Sequence, residues 1–247
     1  MSDFNRSHAR SIPVDRADMS VDAGLRSFML GVYNKMALGL VISAGMAWLT
    51  SGPLQNLMFQ EAGGRIGFTP LGMIVSFAPL AILLFSAFAM RNASPRSSGI
   101  IYWSVVTLLG ASLGVLLLLY TSTSVVSTFL ITATAFGALS LFGYTTKKDL
   151  TGLGTFLIMG LIGLLLAMIV NIFIQSSMMA FIISAAGVLI FSGLTAYDTQ
   201  RLKLTYYDLG GDQAALGVAT NYGALSLYLD FINLFQFLMM FLGVRRD

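Results

Sequence analysis

Long, nearly uncharged runs constrain this chain more than any other feature. They fall at about 28–50, 71–91, 99–120, 124–145, 152–174, 179–201 and 220–243, each as long as the roughly 20 apolar residues that cross a bilayer as a helix. In hydrocarbon a backbone N–H or C=O has no water to turn to, and a helix satisfies these groups within its own segment. Composition points the same way. Of 247 residues, 56% are hydrophobic and 10% charged, against roughly a quarter charged in a soluble domain, and the mean hydropathy is +0.81. The expected fold is all-α: a polytopic membrane protein of seven transmembrane helices, its principal partner the lipid bilayer.

Residues 1–27 differ from the rest. Arg6, Arg10, Arg16 and Arg26 are set there against Asp3, Asp15, Asp18 and Asp22, a composition that buries too little apolar surface to fold alone. We expect a disordered tail, followed by one transmembrane domain over 28–247. The tail is too long and too mixed in charge to begin a signal peptide, so the first run is expected to stay uncleaved. Glycine, proline and serine clusters punctuate the joints, as at Ser51-Gly52-Pro53 and Asn92-Ala93-Ser94-Pro95. Gly110 and Gly114, Ala133 and Gly137, and Ser192 and Ala196 are spaced for close helix packing.

Several functions are excluded. The net charge of +3 comes from 14 scattered basic residues, not the gathered face a nucleic-acid binder presents. There is no cysteine, and the only histidine, His8, lies in the polar tail, which removes thiol chemistry and histidine-ligated metals. No cofactor and no enzymatic activity are expected. The basic residues fix an orientation instead. With the tail inside, ten of them fall on the cytoplasmic side and Arg65 alone in the outer loops. Arg245 and Arg246 run against this scheme, and a six-span or re-entrant C-terminus would bring them inside.

Four charged side chains stand within or at the edge of the runs: Lys35, Arg91, Asp198 and Asp230. An acidic residue at a helix centre costs about 2.5–3.5 kcal/mol on insertion scales, so such residues are typically paired or functional. Lys35 lies near the inner face, where its stem can snorkel to the headgroups. Asp230 lies about ten residues into the last run, roughly 15 Å deep, with Ser226 and Asn233 on its helical face. It is either a protonated carboxyl bonded between helices or part of an ion pathway. Asp198 is shallower, either an interfacial residue balanced by Arg201 and Lys203 or a partner of Asp230. The two meet only if the sixth span runs past 201 or the seventh starts late. If they meet, both cannot ionise cheaply, and the pair senses protons. The same oxygens attract a hard cation such as calcium, so Asp198 and Asp230 are also the candidate transient metal ligands.

These residues carry a resemblance. Tyr197-Asp198-Thr199-Gln200 and the run Leu225–Phe235 around Asp230 resemble the signature segments of the Bax inhibitor-1 family, also called the transmembrane Bax-inhibitor-motif or YccA-like family. Thr146–Leu150, Asn171-Ile172-Phe173 and Tyr33–Met36 are similar to supporting segments of its bacterial members. The resemblance covers about 28–243. It implies a seven-helix bundle with the last helix central, a pH-sensitive aspartate pair, and passage of calcium down its gradient. By motif, Asp198 and Asp230 match the pair, and Arg91 matches an arginine that latches it. Asn233, Asn171, Tyr197, Gln200 and Lys35 are the supporting polar residues. One departure bears on conduction: some members carry a glutamate one to three turns before that arginine, whereas Met73–Met90 here contains no acid.

The expected function is therefore a pH-sensitive calcium leak of a bacterial inner membrane, with calcium and protons as its small partners and the N-terminus cytoplasmic. The alternative is a non-transporting regulator of a membrane-anchored protease or another membrane complex, with the charged tail as its handle. An intramembrane aspartate hydrolase has the right residue type but lacks the Gly-x-Gly-Asp pattern.

Overall fold

Among the described residues the chain forms eight helices, most of them opened by a polar cap. A computed structural model describes residues 22–62, 65–89 and 93–246. The helices are α1 (Ala23–Ser51), a single turn α2 (Gln55–Met58), α3 (Pro70–Ala89), α4 (Pro95–Leu119), α5 (Ser122–Thr145), α6 (Thr151–Ile174), α7 (Ser177–Asp208) and α8 (Gln213–Leu242). Between α2 and α3 run two strands, β1 (Phe59–Ala62) and β2 (Arg65–Phe68), paired antiparallel with Ala62 opposite Arg65.

The starts follow from side chains that accept the unpaired N–H groups of a first turn. Asp22 accepts from the Leu25 amide, Thr121 from Ser124, Ser176 from Met179, and Asp212 from Ala214 and Ala215. Ser94 and Ser97 form a reciprocal capping box ahead of Pro95. α6 ends on Gln175 in the left-handed conformation, at φ 52°.

Among the described residues six helices are long and apolar enough to cross a membrane: α1, α4, α5, α6, α7 and α8. α3 is equally apolar in character, but its fully described stretch, Pro70–Ser86, is shorter than the others. The expectation of seven equivalent spans is met for six. Boundaries shift at three places. α1 begins at Ala23, so Arg26 belongs to a helix and not to the tail; the rest of the tail assignment, residues 1–21, lies outside the described residues. α7 continues to Asp208, past the expected end at 201, and α8 begins at Gln213 in place of 220. The stretch expected as a plain loop to Pro70 holds α2 and the strand pair.

α8 is the hub. It packs against α1, α4, α5 and α7, while α3 leans on α4 and α6 on α7. Small residues set the closest approaches. A side chain at Gly143 would collide with the Ala196 carbonyl, and one at Gly110 with the Ser43 backbone. Gly137 departs from the packing expectation, since nothing lies within 4 Å of where its Cβ would stand. The C-terminal strand of chain folds back on the α4–α5 turn: Tyr120 bridges Arg245, and the Arg246 amide donates to the Leu119 carbonyl at 2.9 Å. Arg245 and Arg246 are thereby held at the end of the bundle opposite Ala23.

Candidate functional site

The antiparallel register of α7 and α8 decides what meets Asp198. Leu202 lies over Gly223 and Phe237 over Gly187, so residue numbers on the two helices sum to about 424 across the contact. Asp198 therefore faces Ser226, and Asp230 lies one turn further along α8, roughly 5 Å on. Because α7 runs past 201 to Asp208 and α8 begins at Gln213, this contact lies well inside both helices.

Asp198 and Asp230 are both buried, at 7% and 5% exposure. The Ser226 hydroxyl donates to Asp198 Oδ2, and Arg201 Nη1 stands 3.4 Å from Asp198 Oδ1. Arg201 also reaches back to the Ser226 oxygen at 3.4 Å, closing a triangle of carboxylate, hydroxyl and guanidinium. Asp230 lies within electrostatic reach of both Asp198 and Arg201. Its Oδ2 is buried without a hydrogen-bond partner among the described residues, and no hydrogen bond joins the two carboxyls directly. Ser226 stands between them. Among the described residues one guanidinium, that of Arg201, pairs with Asp198 and none pairs with Asp230, and an unpartnered buried oxygen is costly to ionise.

Arg91 lies outside the described residues. Among those described, Arg201 holds Asp198, and it does so from the same helix, three residues on. Its guanidinium also lies over the Tyr197 ring, 5.7 Å from the centroid, and the face of that ring packs on Gly154 of α6.

The supporting residues divide into separate duties. Gln200 pins the α5–α6 connection: its amide donates to the Lys148 carbonyl at 2.7 Å and its Oε1 accepts from the Leu150 amide at 2.8 Å. Asn233 donates to the Leu229 carbonyl of its own helix at 2.8 Å. Asn171 accepts from the Ser176 amide at 3.1 Å and ties α6 to α7 at the far end of the bundle. It lies about 30 Å from Asp198 along α7 and does not join the site.

Lys35 differs from the headgroup-anchor expectation. It turns inward, donates to Asn221 Oδ1, and lies 5.8 Å and 5.9 Å from the Tyr102 and Trp103 ring centroids. Asn221 in turn donates to Ser98 Oγ and to the Pro95 carbonyl, each at 2.8 Å. The aromatic faces and a carbonyl-type oxygen replace the hydration that Lys35 leaves behind.

Sequence reasoning missed the neutral members of these networks. Asn221, Ser43, Tyr228, Ser140 and Thr199 are all buried. Ser43 bonds the Tyr228 hydroxyl at 2.6 Å, joining α1 to α8. Tyr33, Ser140 and Thr199 form a chain of hydroxyls across α1, α5 and α7, with links of 2.5 Å and 3.0 Å. Their recurrence beside apolar stripes was the available signal. Among the described residues no group of three or more acidic, histidine or cysteine side chains gathers as a metal cluster.

Residues 25–247 match the family described as "Inhibitor of apoptosis-promoting Bax1". An "Uncharacterized protein" of Caulobacter vibrioides is 63% identical over 250 residues, covering 100% of both chains. The "Uncharacterized protein RP147" of Rickettsia prowazekii is 42% identical over 97% of this chain and 99% of its own. "Inner membrane protein YbhL" of Escherichia coli K12 is 39% identical over 91% of this chain and 94% of its own. The match runs through every spanning helix and takes in both buried aspartates, and on it this chain belongs to the Bax inhibitor-1 family.

Proposed function

We propose that this protein is a pH-sensitive cation leak of a bacterial inner membrane, passing calcium, with Asp198 and Asp230 as its proton-responsive gate. The observation that carries this reading is the α7–α8 contact: two buried carboxyls about one turn apart, one of them paired with Arg201, the other with an oxygen that has no partner among the described residues. In the closed state Arg201 and Ser226 hold Asp198. Arg91, the arginine of the family motif, is a second candidate for that latch. A change in the charge of the pair loosens α7 from α8, and α8 touches four other helices, so its shift opens the bundle. The two carboxyls with the Ser226 hydroxyl offer calcium oxygen ligands too few to retain it, which suits passage over storage.

The membrane arrangement belongs to the same reading. α3 has 20 residues, about 30 Å of helix, matching the hydrocarbon thickness, and serves as the seventh crossing. Arg26, Arg96, Lys147, Lys148, Arg201 and Lys203 gather at the end of the bundle where α1 begins, which supports a cytoplasmic N-terminus. The C-terminus then lies outside. A relative named as an inner membrane protein supports the location.

The test is calcium flux into proteoliposomes from pH 5 to 9, with wild type beside Asp198→Asn and Asp230→Asn. We expect a pH-dependent flux that either substitution flattens. Arg201→Gln and Arg91→Gln, run in parallel, show which arginine holds the gate by which one raises flux at the closed pH. Absence of flux at every pH from folded protein would overturn the leak and favour the non-transporting regulator.

A further inference from the structure

On the opposite flank of α1 from Lys35, a cleft of about 710 Å³ separates α1 from α5. Its walls are largely apolar, from Phe136 and Gly137 to the aliphatic neighbours on α1, and its floor carries the hydrogen-bonded pair Tyr33 and Ser140. Arg26 and Tyr144 stand at its rim, at the ends of their helices. Leu30 and Leu141, both on its edges, are exposed, so the cleft opens sideways to the surface that faces acyl chains in a bilayer.

We propose that this cleft is a binding site for an acidic phospholipid, with an acyl chain between α1 and α5 and the phosphate at Arg26. Three observations select that occupant. The opening is lateral, so a lipid enters without leaving the membrane. The rim is cationic: Lys147 and Lys148 lie exposed just beyond Tyr144, and Arg26 is exposed and makes no ion pair among the described residues. Two acids lie near the same rim, Asp22 and Asp149, so Arg26, Lys147 and Lys148 leave it positive on balance; the acids' carboxyls are tied to the Leu25 and Thr151 amides. Finally, Gly137 leaves open space where any side chain would fill the cleft. A basic residue at the membrane surface attracts anionic headgroups, and a concave apolar wall retains the chain. The Ser140 hydroxyl on the floor bonds Thr199, the neighbour of Asp198, so occupancy bears on the α7 segment that carries the gate.

The test reads binding and does not depend on flux, so its failure is separable from failure of the leak. Detergent-solubilised full-length protein is titrated with phosphatidylglycerol or phosphatidylcholine and retained lipid is counted by native mass spectrometry. Wild type retains phosphatidylglycerol in preference. Gly137→Phe, which enters open space in a helix, abolishes retention, and Arg26→Gln reduces the preference by about fivefold. Equal retention by wild type and Gly137→Phe would place the lipid elsewhere and overturn the site. Retention lost in Gly137→Phe but with no headgroup preference in wild type would overturn the acidic character. A benzoylphenylalanine at position 137, photolysed in vesicles containing both lipids, supplies a readout independent of the phenylalanine variant. A phosphatidylglycerol adduct supports the site, whereas an adduct with the chain's own N-terminal segment or with a second copy overturns it.

Discussion

α6 and α8 are both long and uninterrupted, yet they are built on opposite principles. α6 is the most apolar of the spanning helices, and only 11% of its most apolar stretch is buried inside the protein. α8 is less apolar, and 61% of its corresponding stretch is buried. In water the order would be reversed. Lipid tails are as apolar as leucine, so hydrophobicity alone gives a helix no reason to leave them. α6 meets that solvent with Phe156, Ile172 and Phe173, all exposed. α8 carries Asn221 and Ser226, whose polar groups find partners on α4 and α7 in the interior, and the buried Asp230. Between these two helices, the more polar one stands at the centre and the more apolar one at the rim.

The sharpest way to break this comparison is to remove the same ring from each helix. Phe237 on α8 is buried, stacks on Phe191 with centroids 5.7 Å apart, and lies over Gly187. Phe173 on α6 is 82% exposed. Phe237→Ala should cost about 3–5 kcal/mol of stability, as expected for a cavity left in a packed core. Phe173→Ala should stay within about 0.5 kcal/mol, because lipid fills the space. Unfolding by a denaturing detergent measures both. Comparable losses would mean that α6 is covered by protein in the membrane.

A smaller effect separates polar groups on α8 itself. Ser226→Ala removes the hydroxyl that donates to Asp198, and hydrogen bonds to charged groups contribute about 1.5–3 kcal/mol. Asn233→Ala loses only a bond to its own helix's Leu229 carbonyl and should change stability by about 0.5 kcal/mol or less. Equal effects in the same unfolding assay would show that Ser226 is not part of a shared network.

Glycine sharpens the comparison further. A side chain at Gly223 of α8 must displace Leu202, whereas at Gly163 of α6 nothing lies within 4 Å. Gly223→Ala should cost about 1–3 kcal/mol through overpacking. Gly163→Ala should stabilise by up to about 1 kcal/mol, since alanine outranks glycine in a helix interior. A destabilised Gly163→Ala would point to a partner against that face.

The contrast also explains what the sequence discloses. Spans are legible because water and hydrocarbon treat apolar runs so differently; α4, α5 and α6 begin and end within a few residues of expectation. Asp198 and Asp230 are legible because a charge inside such a run stands alone. Their meeting was not, since Arg201, Lys203, Tyr206 and Tyr207 read as a loop, although they continue α7 to Asp208. Hydropathy registers their polarity but not the neighbouring helices that receive it. Lys35 misled for the same reason: its stem can snorkel, but Tyr102, Trp103 and Asn221 give it an inward alternative that only packing reveals. Ser43, Ser140 and Thr199 were hidden because hydroxyls bonded to backbone occur on nearly every helix here. The strand pair had a readable signal, a Gly63-Gly64 dipeptide between two short runs, the form of a two-residue hairpin.

The smallest effect concerns the starts of the same two helices. Asp149 precedes α6, and hydrogen bonds from the Thr151 hydroxyl and amide hold its carboxyl below the usual carboxylate range. Asp212 precedes α8 and accepts from two amides, Ala214 at 2.9 Å and Ala215 at 3.2 Å. For Asp149 the sign follows from linkage: a carboxyl whose folded pKa is depressed adds stability above its unfolded value, and loses it as pH falls through the folded one. Asp149→Ala should therefore lower the melting temperature slightly at pH 7, with the difference closing only below the ordinary carboxylate range. Because the group is exposed, salt and water keep the change small. Asp212→Ala should lower it more, since fraying there loosens the helix on which four others pack, whereas α6 rests chiefly on α7. Melting curves of both variants from pH 3 to 8 test the ranking. A larger loss at Asp149 than at Asp212 would mean that the rim helix, and not the central one, limits the stability of the bundle.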